Sequence, residues 1–203
     1  VLANGPTLKE EKEQIDKFIK KYNPVIIGAN YLGGLFIPHY HVFGNKKRFI
    51  DYVDTVDARS NILISNILSD EFIKKYTARK YEFIQHLPQF LSNFNISKGV
   101  IMTNCRTISI LSVAMAIVMD AERIFIAGMD GYKQVDSFMK HPVHFYKESD
   151  ETEDFEILMG KHNWNEQLLK QIDNYLVSNN KNGLCILTPT THKAFYKSIE
   201  NLL

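Results

Sequence analysis

Cysteine is scarce: Cys105 and Cys185 are the two that 203 residues hold. That is too few for a disulfide scaffold, and neither has the companions a zinc-ligand cluster needs. They read as core thiols of a protein in a reducing compartment, the cytoplasm. No apolar run approaches the roughly 18–20 residues that span a bilayer. The most apolar stretch, residues 108–119, carries serines and stops at Asp120, so no membrane span is expected. An excess of one charge is missing as well. Twenty-four basic against 23 acidic residues leave a formal net charge of +1, so no general field draws the chain to nucleic acid or an anionic surface. The sequence also has no G-x-G-x-x-G dinucleotide fingerprint and no Walker A lysine. Its acidic run Glu148-Ser149-Asp150-Glu151-Thr152-Glu153-Asp154 lacks the D-x-D spacing that holds a divalent ion against a diphosphate, and reads as a solvated loop.

What is present is 45% apolar and 12% aromatic residues, enough for one compact domain over 1–203. The chain opens on Val1 with no signal-peptide pattern and is read as a domain excised from a longer protein. Short β-rich runs alternate with longer helical ones. That is the pattern of an α/β fold with a mainly parallel sheet, expected as a Rossmann-like three-layer sandwich. Strands are expected at 1–3, 25–29, 41–44, 61–65, 81–84, 123–127 and 183–187, and helices at 8–22, 46–53, 70–76, 107–121, 163–178 and 191–202. Residues 85–98 read as loop around Pro88. Residues 131–160 form a connection well beyond the usual length, the expected lid or acceptor loop.

Asparagine closes five segments, at Asn4, Asn30, Asn45, Asn66 and Asn104. In a parallel sheet these amides gather along the carboxyl edge, where ligands of open α/β sheets bind, and an uncharged amide offers both donors and acceptors to a base or ribose. Asparagine is equally favoured as a turn residue and helix cap, so each position carries both readings. The turn Asn4-Gly5-Pro6-Thr7-Leu8 leads a strand into a helix start, a place for an anion. Asp130-Gly131-Tyr132 ends another strand. Asp130 is either a cap or a site residue, and the Tyr132 phenol can bond a phosphate oxygen without bringing charge. Seven histidines are present. His39 and His41 share a face as a weak metal pair or a core edge. His141 and His144 sit in the long connection. His162, placed just before a helix, is either a cap or a base for a sugar hydroxyl near neutral pH.

The order Ala3-Asn4-Gly5-Pro6-Thr7-Leu8, a strand closing on Asn30, and Phe43-Gly44-Asn45 resembles the bacterial sialyltransferases of glycosyltransferase family forty-two and the related motility-accessory glycosyltransferases. So do the helix after Thr107, the strand ending Gly128-Met129-Asp130-Gly131-Tyr132, and the Lys161-His162-Asn163 segment. The resemblance implies a metal-independent, inverting transfer of sugar from a nucleotide, cytidine monophosphate favoured, to a hydroxyl of a glycan or small molecule. It implies that Asn4 and Asn30 contact the nucleotide with Thr107 near it, that Tyr132 holds the leaving phosphate, and that His162 is the base; Gly5, Asn45 and Asp130, at the same strand ends, are expected to bind the nucleotide with them. No cofactor is implied. Ala3 and Thr7 stand where the family motif has glycine and serine, and Gly131 stands where it has an aromatic; the family's second phosphate-binding tyrosine has no counterpart at its spacing, which falls near Phe138, and leaves Tyr146 as the alternative. The Ala-Asn-Gly-Pro turn is also similar to C-terminal parts of aldolase-type proteins of surface-polysaccharide synthesis. There the domain would be a non-catalytic nucleotide- or sugar-binding module with its catalytic domain upstream. Homo-oligomerisation is an open alternative.

Overall fold

A computed structural model of the chain describes residues 1–89, 93–132, 144–146 and 154–203. In chain order its elements are α1 (Thr7–Glu10), α2 (Lys12–Tyr22), β1 (Ile27–Ala29), β2 (Tyr40–Phe43), α3 (Lys46–Tyr52), β3 (Asn61–Ser65), α4 (Asp70–Ile73), β4 (Tyr81–Ile84), β5 (Ile96–Ser97), β6 (Val100–Ile101), α5 (Ile108–Val118), β7 (Ile124–Ile126), α6 (Phe155–Ser178) and β8 (Leu184–Ile186). The fold is mixed α/β with parallel strands, and its contacts divide it into two compact units: residues 25–121 with Val1, and residues 2–24 with 122–203. No helix among the described residues is long and apolar enough to cross a membrane.

In the first unit β1, β2, β3 and β4 lie side by side in sequence order, all parallel, with Gly28 opposite His41 and His41 opposite Ile62. Alternation along a strand sends Ile62 and Ile64 to the face that also holds Phe43. There they pack with Phe49 of α3 and Ile73 of α4 in a fully buried cluster, each side chain contributing roughly 1.5–3 kcal/mol. The other face is covered by α5, whose Ile110, Leu111, Val113 and Ala114 are buried. It lies close to the end of β2: a Cβ on Gly44 would stand 3.2 Å from Ile108 Cδ1 and 3.3 Å from Leu111 Cδ2. The guanidinium of Arg79 donates to the carbonyls of Val56, Asp57 and Ser60 and so secures the turn that feeds β3. Ser65 and His86 tie the far end together. His86 Nε2–H donates to the Thr103 carbonyl at 2.8 Å, which leaves Nδ1 to accept from the Ser65 hydroxyl at 3.3 Å.

In the second unit Leu2 bridges Ala127, β7 pairs with β8, and Tyr196 bridges Ile186, so four chain segments run parallel. The amphipathic α2 buries Ile15 and Phe18, and the Phe18 ring meets Phe125 edge-on at 5.0 Å. It ends at Asn23, whose φ of 45° is the left-handed conformation that closes helices. In α6, Leu158, Leu168, Leu169, Ile172 and Leu176 supply the buried stripe.

Several boundaries differ from expectation. Only Leu2 of the expected first strand pairs, and it makes a single bridge. The first helix is two, because the chain leaves helical geometry at Glu11. Residues 85–98 are not all loop: β5 and β6 form an antiparallel hairpin within and just after them. The helix expected from residue 163 starts at Phe155, capped by the Asp154 carboxylate accepting from Glu156 N–H at 2.9 Å. The helix expected at 191–202 is instead two 3₁₀ turns, Lys193–Phe195 and Ile199–Leu202. The expected lid therefore loses its last six residues, 155–160, to α6, and most of the rest lies outside the described residues, His141 included.

Candidate functional site

At the carboxyl ends of β7 and β8 two loops are bonded into one platform. The Thr190 hydroxyl donates to the Met129 carbonyl at 2.7 Å, and Thr191 gives both its N–H (2.8 Å) and its hydroxyl (2.9 Å) to the Asp130 carbonyl. The Asp130 carboxylate accepts from Thr7 N–H at 2.9 Å and from the Thr7 hydroxyl. Thr188 Oγ1 accepts from Gly128 N–H at 2.9 Å and lies 2.9 Å from Thr7 Oγ1. Since the Thr7 proton goes to the carboxylate, the Thr188 hydroxyl donates to Thr7 and the chain of donors ends on Asp130. Burial raises the Asp130 carboxyl above its ordinary range, against the lowering effect of its Thr7 bonds. Gly5 makes this packing possible: its N–H donates to the Gly128 carbonyl at 2.7 Å, and a Cβ there would lie 2.5 Å from Asp130 Cγ. Of the two readings open for Asp130, the one these contacts display is the pin that holds the turn before α1.

Beside the platform sits a cluster that places His162 in the second turn of α6, fully buried, rather than ahead of the helix. Its Nδ1 accepts from Tyr132 N–H at 3.2 Å. A neutral imidazole whose Nδ1 accepts carries its proton on Nε2, and that atom lies 3.4 Å from Glu166 Oε2, one helical turn on. The His192 ring stacks on His162 with centroids 4.4 Å apart and planes within 6°. Among the described residues, His162, Glu166 and His192 are the group whose ligand-type atoms lie within 4.8 Å of one another. Imidazole lone pairs lie in the ring plane, and two parallel stacked planes do not share a point roughly 2.0–2.1 Å from a nitrogen of each. This ring arrangement therefore does not present the two histidines to one metal ion.

Gly131 lets the cluster close. Its φ is 79°, and a Cβ there would stand 3.0 Å from both Cε1 and Nδ1 of His162 and collide with the Thr191 hydroxyl. The space an aromatic side chain would need at this residue is occupied. Gly131→Ala is expected to cost about 2–4 kcal/mol of unfolding free energy, from left-handed strain plus overpacking, read from urea denaturation.

The other expected site residues have distinct places. Asn4 is buried in the second unit, and its carbonyl accepts from Phe145 N–H at 2.9 Å. Asn45 is an exposed cap of α3, accepting from Arg48 N–H at 3.1 Å, and Asn66 is pinned to His86 N–H at 3.0 Å. Thr107 is the extended residue that starts α5. Asn30, just past β1, differs from these: it is 8% exposed, has φ of 48°, and its Oδ1 is buried with no hydrogen-bond partner. Its backbone carbonyl accepts from His41 Nε2–H. His39 and His41 are separately employed, since His39 Nδ1 accepts from Ile26 N–H at 2.9 Å.

Glu166, His192 and His86 are not among the residues expected from the sequence. The i, i+4 spacing of His162 and Glu166 was the available signal, hidden by a helix start set one residue after His162. Comparison with protein-family models, curated proteins and solved structures finds no match.

Proposed function

We propose that the chain is a glycosyltransferase-like domain that binds a nucleotide-activated sugar and transfers it to an acceptor hydroxyl in surface-glycan synthesis. The observation that carries the reading is Asn30: an amide oxygen buried without a partner at the carboxyl end of a parallel strand. A buried acceptor left unbonded costs roughly 1–3 kcal/mol, and a ligand N–H or hydroxyl removes that cost. The finer architecture would be Rossmann-like, and the setting cytoplasmic.

In the transfer, His162 Nδ1 takes the proton of the acceptor hydroxyl, which replaces Tyr132 N–H at that atom. The acceptor oxygen bonds to the anomeric carbon while the sugar–phosphate bond breaks, its electron pair leaving on the nucleotide phosphate, with the Tyr132 phenol as the donor to the developing charge. Every step falls to side chains of this protein, and none is assigned to a metal. One observation favours a second reading, a non-catalytic nucleotide- or sugar-binding module of a larger aldolase-type enzyme: His162 is sealed from solvent with Nδ1 already engaged.

Calorimetric titration with cytidine and uridine monophosphates tests the shared part. Asn30→Gly keeps the left-handed backbone without steric cost and removes the amide. It is expected to weaken the nucleotide that binds by about 1–3 kcal/mol, roughly 5- to 150-fold. An unchanged affinity rejects the assignment of Asn30. Binding without turnover of any nucleotide-sugar selects the second reading.

A further inference from the structure

We propose that Glu166 is the positioning carboxylate of His162: it keeps the His162 proton on Nε2 and raises the basicity of Nδ1, the atom at which the acceptor hydroxyl is deprotonated. The inference rests on the role given to His162 above and names a residue that role does not include.

Three observations converge on it. The Tyr132 N–H donor at 3.2 Å identifies Nδ1 as the unprotonated nitrogen, whose lone pair accepts. Glu166 Oε2 stands 3.4 Å from the opposite nitrogen, Nε2, at ion-pair distance and outside hydrogen-bond geometry, so it acts on the ring through its charge. Both residues project from one face of α6 at the i, i+4 spacing at which helical side chains meet, so the pairing is held by a regular element rather than by a loop. A base oriented on its far side by a third group is the arrangement that activates nucleophiles generally. When Nδ1 accepts a proton, the ring becomes a cation in a buried place, and the carboxylate is the charge that offsets the cost.

The surroundings set the size of the effect. Glu166 is also bonded through Oε1 to Lys170 at 3.2 Å, with its side chain 29% exposed. The lysine therefore draws off part of its field, and solvent screens another part. On the opposite side the His192 ring lies parallel to His162 at 4.4 Å. Two imidazoles that close cannot both be charged without repulsion. Glu166 favours the charge on His162, the member whose Nε2 it faces.

Long-range proton–nitrogen NMR of the imidazoles reads this without any need for turnover. In the wild-type protein His162 is expected as the Nε2–H tautomer. Glu166→Gln is expected to lower the His162 pKa by about one unit, Glu166→Asp to recover part of the shift, and Lys170→Gln, a change at an exposed lysine, to raise it. If the transfer reading is right as well, the acid limb of the kcat/KM profile moves with the same shift in Glu166→Gln. A His162 found as the Nδ1–H tautomer overturns the proposal, as does a pKa unmoved in both Glu166→Gln and Lys170→Gln. Should Glu166→Gln fail to fold, the wild-type tautomer and the direction of the Lys170→Gln shift decide alone. NMR shifts as expected, with no transfer from any nucleotide-sugar, leave the proton pair standing and refute the transferase reading instead.

Discussion

Asp130→Ala is expected to lower the unfolding free energy by about 2–4 kcal/mol, roughly 4–16 °C in Tm for a chain of this size, measured by thermal and urea denaturation. The carboxylate is the last acceptor of a buried chain of donors. Removing it leaves Thr7 N–H without its partner at 2.9 Å, and leaves the Thr7 hydroxyl, which in turn receives the Thr188 proton, without an acceptor. Bonds to a charged group are worth roughly 1.5–3 kcal/mol each, and release from burying the charge returns part of that. Asp130→Asn is expected to cost less than half as much. Asn Oδ1 still accepts from Thr7 N–H, its amide donates to Thr7 Oγ1, and the two threonine hydroxyls reverse to suit. Because burial holds the Asp130 carboxyl above its ordinary value, the wild-type protein loses stability relative to Asp130→Asn as pH rises from about 4 through the folded pKa. Two equally destructive variants would show that the donor chain is not what the carboxylate sustains.

Acid is expected to destabilise the first unit through His41. Burial pushes this imidazole from 6.5 down to about 4, with its bond to the Asn30 carbonyl pulling the other way and the Arg79 charge adding to the fall. A histidine with a depressed folded pKa adds stability that is fully present above 6.5 and lost as pH falls through about 4. A shift of this size corresponds to about 3 kcal/mol at the acid end. His86, buried and depressed in the same direction, steepens the same limb. His41→Gln, which keeps a donor for the Asn30 carbonyl, is expected to flatten the dependence between pH 6.5 and 4 by about that amount. An equal slope in variant and wild type would show that the loss arises elsewhere.

The parallel α/β character was legible because strands buried on both faces read as short apolar runs between amphipathic helices. β3 and β4 fall on their expected residues, and β1, β2, β7 and β8 within two residues of theirs. Misreadings arose where local signals serve two masters. Gly160 and Lys161-His162-Asn163 look like a turn before a helix, yet a glycine inside a helix costs only about 1 kcal/mol, and nothing crowds Gly160. The stripe of Leu158, Leu168, Leu169 and Ile172 outweighs it. The segment after Pro189 has helical spacing, but Thr190 and Thr191 give their hydroxyls to Met129 and Asp130, contacts more than sixty residues away in sequence that no local pattern carries. The asparagines show the same ambiguity. Asn45 caps a helix, Asn66 pins a strand end, and Asn30 has a left-handed backbone that favours asparagine together with an amide oxygen that the protein itself does not satisfy. Sequence alone could not separate these three, because the residue type is favoured for each reason.

The side-chain amide of Asn30 gives the most direct test of nucleotide recognition, followed by NMR while cytidine monophosphate is added to the wild-type protein. The expected result is a saturable shift of the Asn30 amide pair that follows the calorimetric isotherm and is absent in Asn30→Gly. Saturation of the protein with an Asn30 resonance that does not move, or no binding of either cytidine or uridine monophosphate, would contradict it.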